Sequence, residues 1–184
     1  MPPTETEMMN RDIEASWIYH RKTNHSYESI RSGPHQLDWS NQPIPFKIYP
    51  SIEPLSLPTD FSLSQTPALS SIKAFPVSSN ISVLPDLKTI AHLLHFSAGI
   101  TKKITYPAGT MYFRAAACTG ALYHIDLYLV CGNLPGLDAG VYHFSPHDFS
   151  LRRLRTGDFR GVLENATGHE KTVVQAPAHI ICTS

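Results

Sequence analysis

The chain has 184 residues and a formal net charge of zero, because 15 lysines and arginines balance 15 aspartates and glutamates. Hydrophobic residues make up 42% and charged residues 16%, which is typical of one globular domain, or of one domain with an added arm. The absence of a basic excess argues against nucleic acid as a partner. No run reaches the roughly 18 consecutive apolar residues that a membrane span needs, so no membrane partner is expected either.

Cysteine usage and the first residues predict a cytoplasmic protein. Cys118, Cys131 and Cys182 are far apart in sequence, and none forms a CxxC pair. An odd number at wide spacing argues against a disulfide framework and against a zinc site, and it suits a reducing compartment. Residues 1–16 are polar and acidic and lack the apolar core of a signal peptide.

Residues 1–80 differ in composition from the rest, since they hold ten of the fifteen prolines. Proline fixes φ and removes a donor, so long helices and central strands are not expected between residues 34 and 76. Aromatic residues, which are scarce in disordered segments, are nevertheless spread through this part. They are Trp17, Tyr19, Tyr27, Trp39, Phe46, Tyr49, Phe61 and Phe75. We therefore predict an extended N-terminal arm over residues 1–80, pinned to a folded surface by aromatic anchors, with a short helix over residues 11–30. A floppy linker is the alternative.

The clearest helix is predicted from about residue 85 to residue 98. Its apolar residues recur at helical spacing, Pro85 suits the first turn and Gly99 suits the stop. His92 and His95 lie three apart on this helix and could hold a metal ion. No third ligand stands at a supporting spacing, so one half-exposed and one packed histidine are favoured, and no metal is predicted.

Residues 81–184 are predicted to alternate between turns, strands and a second helix. Residues 123–130 alternate in polarity, with Leu127 and Leu129 on one face and Asp126 and Tyr128 on the other, as in a strand. The full order is a loop at 100–113, a turn or short helix at 114–122, the strand at 123–130, strands at 141–144 and 149–154, a helix at 157–166 and a strand at 179–182.

The turn after Arg114 is the strongest candidate for a binding site. Residues 115–121 are small apart from Cys118 and Thr119, and such a segment lets a flat ligand approach the backbone closely. Arg114 could supply a cation to that ligand, although a surface ion pair is the more ordinary role. Cys118 could be a nucleophile with His124 as its base, but we favour a structural cysteine, because the two lie six positions apart across a change of structure.

The order of arginine, small-residue turn, strand and hairpin resembles the flavin-dependent nitroreductase family. Within it, the likeness is to the branch of SagB-type thiazoline and oxazoline dehydrogenases. Arg114 and the run Gly120, Ala121, Leu122 and Tyr123 match the motif, whereas Ala117, Cys118 and His124 replace a proline, a serine and a second proline. Residues 19–27, 37–50, 87–103 and 140–158 are also similar to segments of this branch.

The resemblance implies an α+β, nitroreductase-like fold: a mostly antiparallel sheet flanked by helices, incomplete at the C-terminus, with residues 81–184 as a partial domain. It implies FMN as cofactor, with Arg114, Ala117, Cys118, Thr119 and Gly120 in contact with it, and NADH or NADPH as electron donor. A small molecule or a peptide would be the substrate, and a homodimer or a tandem domain the assembly. No catalytic residue is indicated.

Two departures from the family lead to two hypotheses. In the family, arginines that bind the flavin phosphate lie just ahead of the first core helix. The corresponding segment here, PVSSNISVLPD (residues 76–86), contains no arginine. Family domains also continue beyond the strand at 179–182. The chain is therefore either an FMN-dependent oxidoreductase, or a non-catalytic half or truncated fragment that supports dimer or tandem-domain assembly.

Overall fold

A computed structural model describes residues 13–32, 44–61, 65–73, 84–107 and 109–184. The chain divides into two units, Met1–Pro43 and Ile44–Ser184. Of the predicted anchors, Trp39 and Phe75 lie outside the described residues, as do residues 76–83 of the segment that lacks arginine. No helix in the described ranges has the length and apolar character that crossing a membrane requires.

The first unit contains two helices where one was predicted over residues 11–30. They are α1 (Ile13–Thr23) and α2 (Tyr27–Ser32), and neither buries a residue. The interruption has a local cause. The Ser26 hydroxyl accepts from the Ser29 N–H at 3.0 Å, and the Ser29 hydroxyl accepts from the Ser26 N–H at 2.8 Å. This reciprocal capping starts a new helix and ends the old one.

The second unit is built on a five-stranded antiparallel sheet with the strand order β1-β6-β5-β4-β7. The strands are β1 (Pro54–Ser56), β4 (Asp126–Cys131), β5 (Gly140–Ser145), β6 (Ser150–Thr156) and β7 (Ala178–Thr183). The described helices of this unit are α3 (Ala68–Lys73), α4 (Leu87–Ala98), α5 (Arg160–Ala166) and α6 (Lys171–Gln175). The short proline-bearing strand β1 stands at the sheet edge, where a missing N–H is tolerated. The predicted mostly antiparallel sheet with helices is therefore confirmed.

Helix α4 (Leu87–Ala98) agrees with the predicted helix and supplies the core of this unit. Asp86 caps its first turn by accepting from the Thr89 N–H at 2.8 Å, and Gly99 follows its last residue. One face of α4 and one face of the sheet form a continuous apolar cluster. Its buried members are Leu57, Ile90, Ala91, Leu94, Ala98, Leu127, Leu129, Cys131, Leu134, Leu137, Tyr142, Phe144 and Leu151.

His92 and His95 both pack against the ring of Phe61, with ring centroids 5.1 and 4.3 Å apart. Among the described residues, no group of three or more histidine, cysteine or acidic side chains could hold a metal ion. Both histidines are half-buried, whereas the sequence favoured one half-exposed and one packed histidine.

The predicted loop over residues 100–113 is wrong, because the structure has a hairpin there. β2 (Ile100–Tyr106) pairs with β3 (Gly109–Arg114) as a separate two-stranded sheet, with a bulge between Ile100 and Lys102. Most of its side chains are exposed, so no buried face imposes the apolar alternation that marks a strand in sequence.

The strand predicted at residues 123–130 begins only at Asp126. Ala121 and Tyr123 have φ values of 54° and 46°, which is left-handed backbone that cannot join a ladder. From Asp126 onward the predicted faces hold, since Leu127 and Leu129 enter the core while Asp126 and Tyr128 lie on the other side.

Truncation of Leu94 tests the packing of α4 on the sheet. Leu94 is fully buried, so Leu94→Ala should lower the free energy of unfolding by about 3 kcal/mol, through lost transfer energy and a cavity. Urea unfolding followed by circular dichroism measures this. The neighbouring Leu93 is 49% exposed, and Leu93→Ala should change the same quantity by less than about 0.5 kcal/mol. Equal effects of the two variants would contradict the assigned core face.

The turn between β5 and β6 contains an acid-sensitive carboxylate, Asp148. Burial pushes its pKa upward, but hydrogen bonds from Ser145, Ser150 and Arg152 outweigh burial and bring the pKa from 3.8 down to about 2. A carboxyl group whose pKa is lower in the folded chain stabilises that chain above the unfolded pKa.

We expect this contribution to be complete above about pH 4 and to be lost as the pH falls toward 2. Asp148→Asn should therefore flatten the acid dependence of the unfolding free energy between pH 4 and pH 2. Asp138, which is 82% exposed beside Arg153, offers the control Asp138→Asn, because an exposed ion pair contributes little to stability. The prediction fails if the two variants give the same profile.

Candidate functional site

A cavity of about 570 Å³ lies beside the turn that follows β3. This volume is within the range of roughly 300–1,000 Å³ that is typical of small-molecule sites. Its lining is mostly apolar and comes from the end of the hairpin and from the turn itself. The nine lining residues are Met111, Phe113, Arg114, Ala115, Ala117, Cys118, Gly120, Ala121 and Tyr123.

Arg114 is the cation among these lining residues, and it is only 7% exposed. Its Nη2 donates to the carbonyl of Pro45 at 2.9 Å, and its guanidinium lies 5.4 Å from the ring centroid of Phe46 and 5.2 Å from that of Tyr123. Cation–π contacts of this kind hold the side chain without neutralising it. Among the described residues, its Nε–H has no acceptor. A buried cation with an unused donor is suited to an anionic or carbonyl-bearing ligand.

Burial lowers the pKa of the Arg114 guanidinium, while the nearby Asp126, Tyr123 and Cys118 act in the opposite direction. An arginine begins from so high a pKa that it keeps its charge at neutral pH. The cavity therefore contains a permanent, partly desolvated positive charge.

The turn is formed by a short 3₁₀ helix, Thr119–Ala121, which agrees with the turn or short helix predicted there. Gly120 has a φ of 64°, a conformation that glycine adopts without steric cost. The N–H groups of Ala117 and Cys118 have no acceptor in the described parts of the chain. Both residues line the cavity.

Cys118 contacts two groups that the sequence separates from it. Its sulfur accepts from the Tyr123 N–H at 3.2 Å, and it lies 3.8 Å from His124 Nδ1. Their separation of six positions in the sequence had argued against such a pair. The left-handed residues of the turn fold the chain back, and this brings the two side chains together.

A second polar cluster lies on the sheet face opposite α4. Lys47 Nζ donates to the Tyr128 hydroxyl at 2.7 Å, and the hydroxyls of Tyr49 and Tyr128 are 3.4 Å apart. The ring of His143, 1% exposed, stands beside these tyrosines, with Nε2 3.8 Å from an Asp126 oxygen. Asp126 thus lies between this cluster and Arg114, whose charge it also influences.

The structure places four of the five predicted cofactor contacts on the cavity: Arg114, Ala117, Cys118 and Gly120. The fifth, Thr119, is exposed and is not part of the lining. The sequence reasoning missed Met111 and Phe113, because it assigned their segment to a loop. It also missed the contacts of Arg114 with Pro45 and Phe46. These two residues lie far from Arg114 in sequence, and nothing in their proline-rich stretch indicates that they contact it.

Comparison with solved structures found a similar protein from Anabaena variabilis ATCC 29413, provisionally described as a nitroreductase. The two align with a TM-score of 0.66 and 27% identity. The alignment covers 91% of this chain and 31% of the other, so the chain spans about a third of that protein's length. The chain matches no protein-family model and no curated protein.

The likeness confirms that the fold is nitroreductase-like, as the resemblance in the sequence implied. The match extends over nearly the whole chain, so the sheet, α4 and the turn belong to one recognisable arrangement. The cavity therefore belongs to a nitroreductase-like fold.

His143 should make stability pH-dependent near neutrality. Burial lowers its pKa from 6.5, and Asp126 offsets only part of that effect. As the pH falls below about 6.5, the unfolded chain takes up a proton that the folded chain resists, so the free energy of unfolding should decrease. Burial also lowers the pKa of His179, which adds in the same direction.

The test is urea unfolding at pH 7.5, 6.5 and 5.5. His143→Gln should show a smaller loss of stability over this range than the wild type, whatever its absolute stability. The variant His25→Gln, at an exposed position in the first unit, controls for the loss of one imidazole. A loss in His143→Gln as steep as in the wild type would refute the prediction.

Proposed function

We propose that the chain is the flavin-binding part of an FMN-dependent oxidoreductase of the nitroreductase type. One observation carries the proposal: the cavity beside the turn combines a buried arginine, free backbone donors and an apolar wall, on a nitroreductase-like fold. These are the features that a flavin ring requires of a protein.

The residues present suit the ring of a flavin. Small side chains at Ala115, Ala117 and Ala121 leave space for a flat ring, and Met111 and Phe113 supply apolar surface. The unused N–H groups of Ala117 and Cys118 would donate to the polar edge of the ring. The guanidinium of Arg114 adds a positive charge to the same cavity.

The described cavity residues offer fewer partners for the phosphate of FMN than for its ring. Arg114 is the single cation among the lining residues, and it is our candidate for that phosphate. If Arg114 instead contacts the ring, the described cavity residues offer no other cation for the phosphate. The two roles of Arg114 can be separated by experiment, because riboflavin has the same ring and no phosphate.

Bound flavin would supply the hydride chemistry, while the protein supplies position and electrostatics. In this proposal Arg114 holds negative charge, the turn amides orient the ring, and the apolar wall excludes water. NADH or NADPH would be the electron donor in a nitroreductase-type reaction, and a small molecule or a peptide would be the substrate. We further propose a homodimer or tandem-domain assembly in the cytoplasm.

A second candidate function is a non-catalytic half that pairs with another nitroreductase-like domain. One observation favours it: among the described residues that line the cavity, Arg114 is the single cation. Such a half, or a truncated fragment, would support a partner's site without completing its own.

Flavin binding decides between the two. The purified chain should bind FMN, detected by quenching of flavin fluorescence, and should bind riboflavin roughly tenfold more weakly if Arg114 pairs with the phosphate. Arg114→Gln should weaken FMN binding by roughly tenfold or more, since hydrogen bonds to charged groups contribute about 1.5–3 kcal/mol.

The matched control is Arg155→Gln, which removes an exposed arginine of β6 and should leave FMN affinity unchanged. Circular dichroism and thermal melting establish that each variant is folded. A folded, colourless chain that fails to bind added FMN would rule out the first candidate and leave the second. Equal affinity for FMN and riboflavin would place Arg114 at the ring.

A further inference from the structure

We propose that Cys118 and His124 form a nucleophilic thiol site that adds covalently to anionic α,β-unsaturated carbonyl compounds in the cavity. The inference goes beyond flavin binding and does not depend on it. It rests on a thiol with a base and a hydrogen-bond donor in place, on a cavity at that thiol, and on a buried cation in the same cavity.

The thiol has both partners that nucleophilic addition needs. His124 Nδ1, 3.8 Å from the sulfur, can accept the thiol proton, and a thiol with a neighbouring base is the recognised arrangement for an activated cysteine. The Tyr123 N–H, 3.2 Å from the sulfur, donates to it and would stabilise the thiolate that forms when the proton leaves. His124 is exposed, so its proton exchanges readily with water.

The cavity selects the chemical class of the electrophile. Cys118 and Arg114 line the same space of about 570 Å³, with apolar side chains such as Met111 and Phe113 between polar groups. Arg114 is more than nine-tenths buried, and its Nε–H has no acceptor among the described residues. A carboxylate on the electrophile would pair with the guanidinium charge that Arg114 contributes to the cavity lining.

The step balances without an oxidant or reductant. The sulfur attacks the β-carbon of the conjugated carbonyl compound, and a carbon–sulfur bond forms as the carbon–carbon double bond becomes single. The electron pair of the double bond moves to the α-carbon. His124 takes the thiol proton and delivers it to that carbon, so the product is a thioether with the S–H added across the double bond.

The other two cysteines provide internal references. Cys131 is fully buried in the core, where burial raises its pKa, so it should react only when the chain unfolds. Cys182 is exposed on β7 and reports the reactivity of an accessible thiol. The described residues include no hydrogen-bond partner for its sulfur.

The experiment measures labelling rates at each cysteine of the flavin-free chain at pH 7 by peptide mass spectrometry. The probes are 4-maleimidobutyrate, which is anionic, and N-ethylmaleimide, which is neutral. A solvated thiol is only a few per cent ionised at this pH, so a base can accelerate Cys118 over Cys182 by roughly tenfold. The preference for the anionic probe should be larger at Cys118 than at Cys182 and should shrink as salt is added.

Variants assign the roles. His124→Asn should reduce the rate at Cys118 to about that at Cys182 and leave Cys182 unaffected, whereas His25→Asn should change neither. Arg114→Gln should reduce the preference for the anionic probe at Cys118 to that seen at Cys182. Because Arg114 also interacts with the Cys118 thiolate, the rate with N-ethylmaleimide should fall too, but by a smaller factor than the rate with the anionic probe. Labelling of Cys131 in any variant reveals unfolding, and in that case the ratio of Cys118 to Cys182 in the wild type decides.

The proposal is overturned if Cys118 reacts no faster than Cys182 in the wild type, or if a folded His124→Asn keeps the wild-type ratio. Equal relative rates of the two probes at Cys118 and Cys182 would overturn the anionic class of substrate. Because these rates are measured without flavin, a failure to bind FMN does not affect them. Nor does slow labelling of Cys118 bear on FMN binding.

Discussion

The packing of helix α4 against one face of the sheet determines where the cavity can form. Ile90 and Leu94 are buried against the strands, so the end of the helix is held in one place. β2 starts directly after Gly99, whose carbonyl accepts from the Ala115 N–H at 2.9 Å. The hairpin therefore leaves from the helix end and returns to it, and the turn that lines the cavity begins at a point that the core fixes.

The sheet face that does not contact α4 is polar. Groups on this side of the sheet help to keep the charge of Arg114 at the cavity. The segment around Pro45 and Phe46 covers Arg114 with a carbonyl and a ring, while Asp126 supplies opposing charge nearby. A buried ion is stable only when such partners compensate for lost hydration. The proline-rich stretch therefore does more than connect two parts of the chain, because it completes the surroundings of the arginine.

The sequence predicted those helices and strands in which burial of one face makes apolar residues recur at a regular spacing. Helix α4 followed from its apolar spacing and its stop at Gly99, and the strands from β4 to β6 followed from alternation and turn residues. The hairpin did not follow, because its exposed faces impose no pattern. Most of the predicted cofactor contacts line the cavity, but the approach of Cys118 to His124 depends on backbone angles that residue types do not reveal.

The left-handed residues of the turn link ligand occupancy to the rigidity of this part of the chain. Ala121 and Tyr123 each adopt a positive φ that costs a residue with a side chain about 1 kcal/mol, so their surroundings must hold them there. Such a segment is a natural place for local opening, with exchange of its amide hydrogens before those of the core. A molecule that binds the turn would suppress this opening, so amide protection at residues 119–123 can report occupancy even for a ligand without colour.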